Sequence, residues 1–467
     1  MPVVGITLAL TLLAGTAALA IAPYRVGHYD ETYGGDRSRD MVFYTDGHPN
    51  FLFDQGPEVV LHCQPIKRGL DLEWRLYRNQ LKTPLLEGTL PVELDNSFAI
   101  RIPTAGLTPG FYDLRVTVHL SATDKLEAKT AFGWQVDQQP VLPVEPPDFQ
   151  AFWDRGLAAM RAVPLDLKVE PYKTFNQAEI ETYNLESSWM PENPDPLGER
   201  YQEVEVFKVS FADPRGKRMY GWFAKPAGKG PWPGILIVPG AGNIPVPIPL
   251  EQARHGFATL IVQVHNYLPD LGPDEYGPHP SNQGVTTPEA MWDYQLYLKS
   301  VKAVDALAAC PAVDAQRLAV AGQSQGGALA VVVAALEPRI KASVPIIAFR
   351  GYFPYQSWAA AMNKAKDPGP AGITREAIPP PDPMGALMEY FDILNFAPLV
   401  KCPVIMDMGL VDPTSPPTTV YATYLRLGGP KEMTPLPNVG HIASMVFDRH
   451  AWRGLEKIFG VGTTASP

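Results

Sequence analysis

Cysteine is scarce: the 467 residues hold three, Cys63, Cys310 and Cys402. There is no CxxC pair and no His/Cys cluster. A structural zinc or a disulfide framework is therefore not expected, and no metal or cofactor site is assigned. Each thiol reads as a small buried apolar side chain. Runs of Lys or Arg are also missing, and the formal net charge is −10. The phosphate-neutralising surface that nucleic-acid binding requires is absent. Beyond residue 20 no apolar run reaches 18 residues, so nothing there reads as a membrane span. What is present is a composition of 46% hydrophobic and 19% charged residues, enough to bury a full core.

The first twenty residues carry no charge and end in Ala18-Leu19-Ala20, the small-x-small form of a signal-peptidase site. Residues 1–20 are expected to be a signal peptide. The product would be secreted or periplasmic, with no membrane contact after cleavage; the alternative is an uncleaved anchor. Residues 21–50, polar and Gly/Asp-rich, read as a linker or arm. Between 51 and 137 come short runs of rough period-two alternation, at 59–61, 72–76, 98–102, 111–118 and 132–136, separated by turn signals. This spacing predicts a small antiparallel, Ig-like β-sandwich. It holds no titratable cluster, so a structural or oligomerising role is favoured over sugar binding.

Four prolines between Gln138 and Pro147 mark a boundary, and Asp148 is a candidate N-cap for the amphipathic helix that follows. From about Tyr201 strand and helix signals alternate. Apolar strands at 234–238, 258–264, 318–321, 342–347, 403–408 and 432–436 are interleaved with helices at 287–309, 326–336, 416–427 and 442–459. The fold class expected for 145–467 is α/β, a doubly wound, mostly parallel sheet. The aromatic- and proline-rich stretch 349–395 interrupts the alternation and reads as a lid insertion over the active site.

One motif stands at a strand-to-helix junction: Gly322-Gln323-Ser324-Gln325-Gly326-Gly327. GxSxG alone is a weak signal; its position is what makes it a nucleophile elbow. In such a turn the residues two before and two after the serine come too close for side chains, which Gly322 and Gly326 satisfy. The turn lifts the Ser324 hydroxyl above the sheet edge and aims the Gln325 N–H toward a forming oxyanion. A hydroxyl needs a base, and His441 lies where this fold delivers one, between the last strand and the last helix. Asp412 follows the strand 404–408 and can orient the imidazole. Asp407 falls mid-strand and reads as packing. His265 and His450 read as structural or substrate-contacting. The order Ser324, Asp412, His441 is that of the α/β-hydrolases. The second oxyanion donor is assigned to Ala241 in the loop Pro239-Gly240-Ala241-Gly242-Asn243, with Gly240 as the alternative.

These residues resemble the acetyl xylan esterases and cephalosporin-C deacetylases. The resemblance runs through the elbow, Glu337-Pro338-Arg339-Ile340-Lys341-Ala342, Cys402-Pro403-Val404, Gly409-Leu410-Val411-Asp412-Pro413, Gly429-Pro430-Lys431-Glu432 and Gly440-His441, and spans about residues 145–460. In that family the Ser, Asp and His of these motifs form the triad. The family's Arg-Gly-Gln is replaced near His265-Asn266-Tyr267, its HGYGG loop by residues 239–243, and its His-Glu by His441-Ile442. The resemblance implies a serine esterase acting on acetyl or short acyl esters of small molecules or oligosaccharides, and leaves a homo-oligomer open. Two other classes remain in view: another serine hydrolase or acyltransferase, such as a prolyl-oligopeptidase-like peptidase or a thioesterase, and a non-catalytic binding protein on a hydrolase scaffold.

Overall fold

The computed structural model describes residues 41–92, 96–186, 201–242, 245–272, 275–278, 280–369 and 373–461. The expected signal peptide and most of the expected arm lie outside the described residues.

Two N-terminal sheets form a β module. Strands β1 (Met41–Tyr44), β3 (Glu58–Pro65) and β6 (Phe98–Pro103) make one sheet, in the order β1-β3-β6. Strands β2 (Leu52–Phe53), β4 (Asp71–Arg78), β5 (Leu86–Pro91), β7 (Gly110–His119) and β8 (Lys125–Trp134) make the other, in the order β2-β8-β7-β4-β5. Alternate side chains of these strands point into one buried cluster that includes Val59, Leu61, Leu72, Leu114 and Phe132. The module includes Met41–Tyr44, ahead of the expected start at 51, because β1 pairs with β3. Strand β1 is four residues long, too short to show a period in sequence. Strand β5 was invisible for another reason: none of its residues is buried, so no core selects an apolar pattern along it.

The larger, C-terminal unit is built on a nine-stranded sheet in the order β17-β16-β15-β14-β12-β13-β11-β10-β9. Its strands are β9 (Lys168–Phe175), β10 (Val204–Ala212), β11 (Arg218–Pro226), β12 (Trp232–Val238), β13 (Ala258–Gln263), β14 (Val313–Gln323), β15 (Ile340–Ile346), β16 (Val404–Gly409) and β17 (Lys431–Leu436). From β13 to β17 every pairing is parallel, and β9, β10 and β11 add an antiparallel end. Strands β12, β13, β15 and β16 are buried on both faces, as strands inside parallel sheets are. In β12, Leu236 and Val238 join the cluster shared with the β module, while Ile235 packs on the opposite face.

Helices flank the sheet: α1 (Phe149–Ala162), α2 (Gln177–Glu186), α3 (Leu250–Arg254), α4 (Trp292–Ala309), α5 (Gln325–Leu336), α6 (Phe353–Ala365), α7 (Pro383–Met388), α8 (Ile393–Phe396), α9 (Pro417–Arg426) and α10 (Met445–Phe459). Asp148 takes the N-cap position of α1, but its side chain makes no capping bond; it accepts from the Tyr390 hydroxyl at 2.6 Å instead. Among the described residues no helix is long and apolar enough to cross a membrane.

The 349–395 segment carries helices α6, α7 and α8, and it packs on the β module. Tyr352, Tyr355 and Trp358 are buried with Leu81. The Tyr355 hydroxyl donates to the Asn79 carbonyl at 2.6 Å, and the Asn363 amide donates to the Gln80 carbonyl at 3.0 Å. Tyr352, Tyr355 and Trp358, read in sequence as part of a cover for the site, are used at this interface, while Tyr390 and Phe391 pack against Phe152 and Trp153 of α1.

Candidate active site

Strand β14 and helix α5 are separated by a single residue, Ser324, at φ 60° and ψ −116°, outside the regions L residues prefer. Its N–H donates to the Ile346 carbonyl at 2.9 Å, and its carbonyl accepts from the Ala328 and Phe349 N–H groups at 3.1 and 3.0 Å. The turn is thus held from both sides. The flanking glycines are required sterically. A Cβ on Gly322 would stand 2.5 Å from the Gly326 carbonyl oxygen, and one on Gly326 would stand 2.2 Å from that of Val238.

Asp412 follows β16 and His441 follows β17, so both arrive at the carboxyl edge of the parallel strands beside the elbow. His441 Nε2 lies 2.8 Å from Ser324 Oγ, and its Nδ1 lies 2.7 Å from Asp412 Oδ2. The other Asp412 oxygen accepts from the Thr414 and Ser415 N–H groups at 2.7 and 2.8 Å. A carboxylate held this way cannot swing away. With Nδ1 donating to it, Nε2 is left to accept the serine proton. All three side chains are buried, at 5%, 6% and 1% exposure for Ser324, His441 and Asp412. Their interactions are little screened by water.

Gln325 opens α5, so its backbone N–H has no partner inside the helix. Its side-chain amide donates to the Gly240 carbonyl at 3.3 Å, which ties the loop after β12 to the elbow. Gly240 lines the cavity at Ser324, and Ala241 does not; Asn243 lies outside the described residues. That cavity, about 210 Å³, runs from Ser324 along one face of the sheet past Ile237, Ala321 and Val344 to Asp448 and Trp452 of α10. None of the described residues of 349–395 lines it, so the expected lid does not close over this space.

Asp407 does more than pack. It is fully buried, and its Oδ1 accepts from the Ile347 N–H at 2.7 Å. Ile347 sits at φ 39°, a strained conformation for a β-branched residue, two positions before the Phe349 N–H that holds Ser324. Burial pushes the Asp407 carboxyl well above the usual range, with Asp448 and Asp412 adding to the effect. No sequence signal marks this role, because a mid-strand aspartate shows its partner only in three dimensions.

His450 pairs with Glu432 at 3.0 Å on the surface, and the His265 ring lies 6.2 Å from that of Trp292; neither joins the triad. Cys63 and Cys310 are buried and Cys402 is half-buried. Burial pushes the first two thiols up to about 12 and the third to about 11. Among the described residues no group of three or more His, Cys, Asp or Glu is placed to hold a metal ion.

Comparison with known proteins gives a consistent result. The sequence pattern of the acetyl xylan esterase (AXE1) family matches residues 188–454. The acetyl esterase Axe7A of Xylanibacter ruminicola is 26% identical over 350 residues, covering 70% of each chain. The solved acetyl xylan esterase from Paenibacillus sp. R4 superposes with a TM-score of 0.51 and 26% identity, over 69% of this chain and 97% of its own. Acetyl xylan esterase 1 from Thermoanaerobacterium sp., 22% identical with a TM-score of 0.52 and the same coverage, shares the fold. Their shared architecture is the α/β-hydrolase sheet.

Proposed function

This chain belongs to the acetyl xylan esterase (AXE1) family, a carboxylic ester hydrolase on the α/β-hydrolase fold, and we propose that it releases acetyl or other short acyl groups from O-acetylated carbohydrate such as acetyl xylan. Ser324 attacks the ester carbonyl while His441 takes its proton. The tetrahedral oxyanion is received by the backbone N–H of Gln325 and by one from the loop after β12, assigned to Ala241 with Gly240, which lines the cavity, as the alternative. Collapse expels the sugar alcohol, protonated by His441, and leaves an acetyl-Ser324 ester. Water activated by His441 then attacks that ester and frees acetate. Asp412 keeps the imidazole in the required tautomer throughout and stabilises its cation. No cofactor enters this sequence of steps.

The observation that supports this reading most is the hydrogen-bonded relay of 2.8 Å and 2.7 Å through His441. Export of the chain, on the apolar first twenty residues, and an Ig-like front module complete the reading. Ser324→Ala is expected to lower acetate release from acetylated xylan and from p-nitrophenyl acetate by about three orders of magnitude or more. Unchanged release would overturn the assignment. A panel of longer acyl, thioester and peptide substrates separates it from a thioesterase or a prolyl-oligopeptidase-like peptidase.

A further inference from the structure

The two loops that carry Asp412 and His441 are both held from outside the catalytic unit, by residues of the N-terminal β module and the connector after it. Thr130, on β8 and fully buried, donates through Oγ1 to Asn438 Oδ1 at 2.6 Å. Asn438 sits at φ 57°, in the left-handed region, three residues before His441. On the other side, Thr418 at the start of α9 follows the Asp412 loop. Its hydroxyl donates to Asn79 Oδ1 at 2.9 Å, and its carbonyl accepts from the Gln139 amide at 3.0 Å. Asn79 is itself fixed by donating to Asp113 Oδ1 at 3.0 Å. The two loops also touch, through the Val411 N–H and the Val439 carbonyl at 3.2 Å.

We infer that the β module is a positioning element for the reaction: Thr130 through Asn438, and Asn79 through Thr418, hold the His441 and Asp412 loops in register with Ser324. The inference rests on the esterase reading above. The physical need is clear. Ser324 is set by the elbow's own strand and helix, whereas the acid and base ride on loops outside regular elements, tied by a few backbone bonds such as Leu410 N–H to the Leu436 carbonyl, to which side-chain bonds from a packed sheet add rigidity. A buried side-chain bond to a rigid sheet supplies that rigidity, and a misplacement of about 1 Å in such a group costs roughly a hundredfold in rate. The family pattern matches 188–454, so the module lies outside the stretch that carries the family's shared chemistry.

The test is Thr130→Val, which keeps the shape and removes the donor. Expected are a fall of at least tenfold in kcat on p-nitrophenyl acetate, KM within about twofold, and recovery of kcat in Thr130→Ser. The low-field proton NMR signal of the His441–Asp412 hydrogen bond should broaden or shift in Thr130→Val, while remaining in Ser324→Ala. Asn363→Ala removes interface bonds of similar quality, to the Gln80 carbonyl and the Lys82 N–H, that touch neither loop, and should lower the melting temperature without changing kcat. The inference is overturned if Thr130→Val leaves both kcat and the NMR signal as in the parent, or if Asn363→Ala lowers kcat as much. Absence of any acetyl-ester hydrolysis by the parent would instead overturn the substrate reading, and the NMR signal would still decide on positioning.

Discussion

At the scale of single residues, the cavity beside Ser324 holds one carboxyl whose ionisation is costly. Asp448 lines that cavity, and burial pushes its pKa from 3.8 up to about 7. A carboxyl with a higher pKa in the folded than in the unfolded chain holds its proton more tightly when folded. The stability it contributes is fully present below about pH 4 and is lost as pH rises toward about 7, above which nothing further changes. Asp448→Asn removes that loss. The variant is expected to match the parent near pH 4 and to be more stable at pH 8, by at most roughly 4 kcal/mol. Urea unfolding at the two pH values checks this, and an equal change at both would contradict it. Asp407 titrates with the same sign, so some decline with pH remains in the variant.

At the scale of elements, one buried carboxylate ties together the two ends of the 349–395 segment. Asp392 is buried and accepts from the N–H groups of Tyr352, Phe353 and Leu394 at 2.9, 2.8 and 2.9 Å. It therefore joins the start of α6 to the start of α8. Asp392→Ala leaves those buried donors unpaired, at a cost of about 1 kcal/mol or more for each. A loss of about 3 kcal/mol in unfolding free energy is expected. Faster amide exchange should be confined to 349–395 and the strand ends of the β module it packs on. Exchange that accelerates evenly through the central sheet would sink this account. The elements themselves differ in how much of their burial the sequence pattern shows. Strands β12, β13, β15 and β16 are readable because burial on both faces selects continuous apolar runs. Strands β9 and β5 are not, because they lie at sheet edges with mostly exposed side chains. Helix α3, of five residues, is too short for any period to declare it.

At the scale of the whole molecule, the β module and the catalytic unit share one continuous apolar cluster, which reaches from Met41 and Phe132 to Leu236, Phe396 and Tyr421. The Phe111 and Tyr421 rings meet edge to face at 5.7 Å across the boundary, and the Tyr421 hydroxyl donates to Asp137 at 2.6 Å. Units joined through a common core lose it together. Calorimetry of the full chain should show a single transition, and two resolved transitions would contradict the shared core. The chain's own text determined the elbow, because its spacing supplies glycine at both positions, 322 and 326, where a side chain would collide. It also determined the alternation of strand and helix, which follows from hydrophobic period, and the order Ser324, Asp412, His441. Only the tertiary structure decided that the 349–395 segment packs on both the β module and helix α1, that Asp407 supports the strained Ile347, and that Thr130 reaches Asn438 across 308 residues. Each of these is a contact between segments remote in sequence, set by how sheets and loops stack and leaving no trace in local pattern.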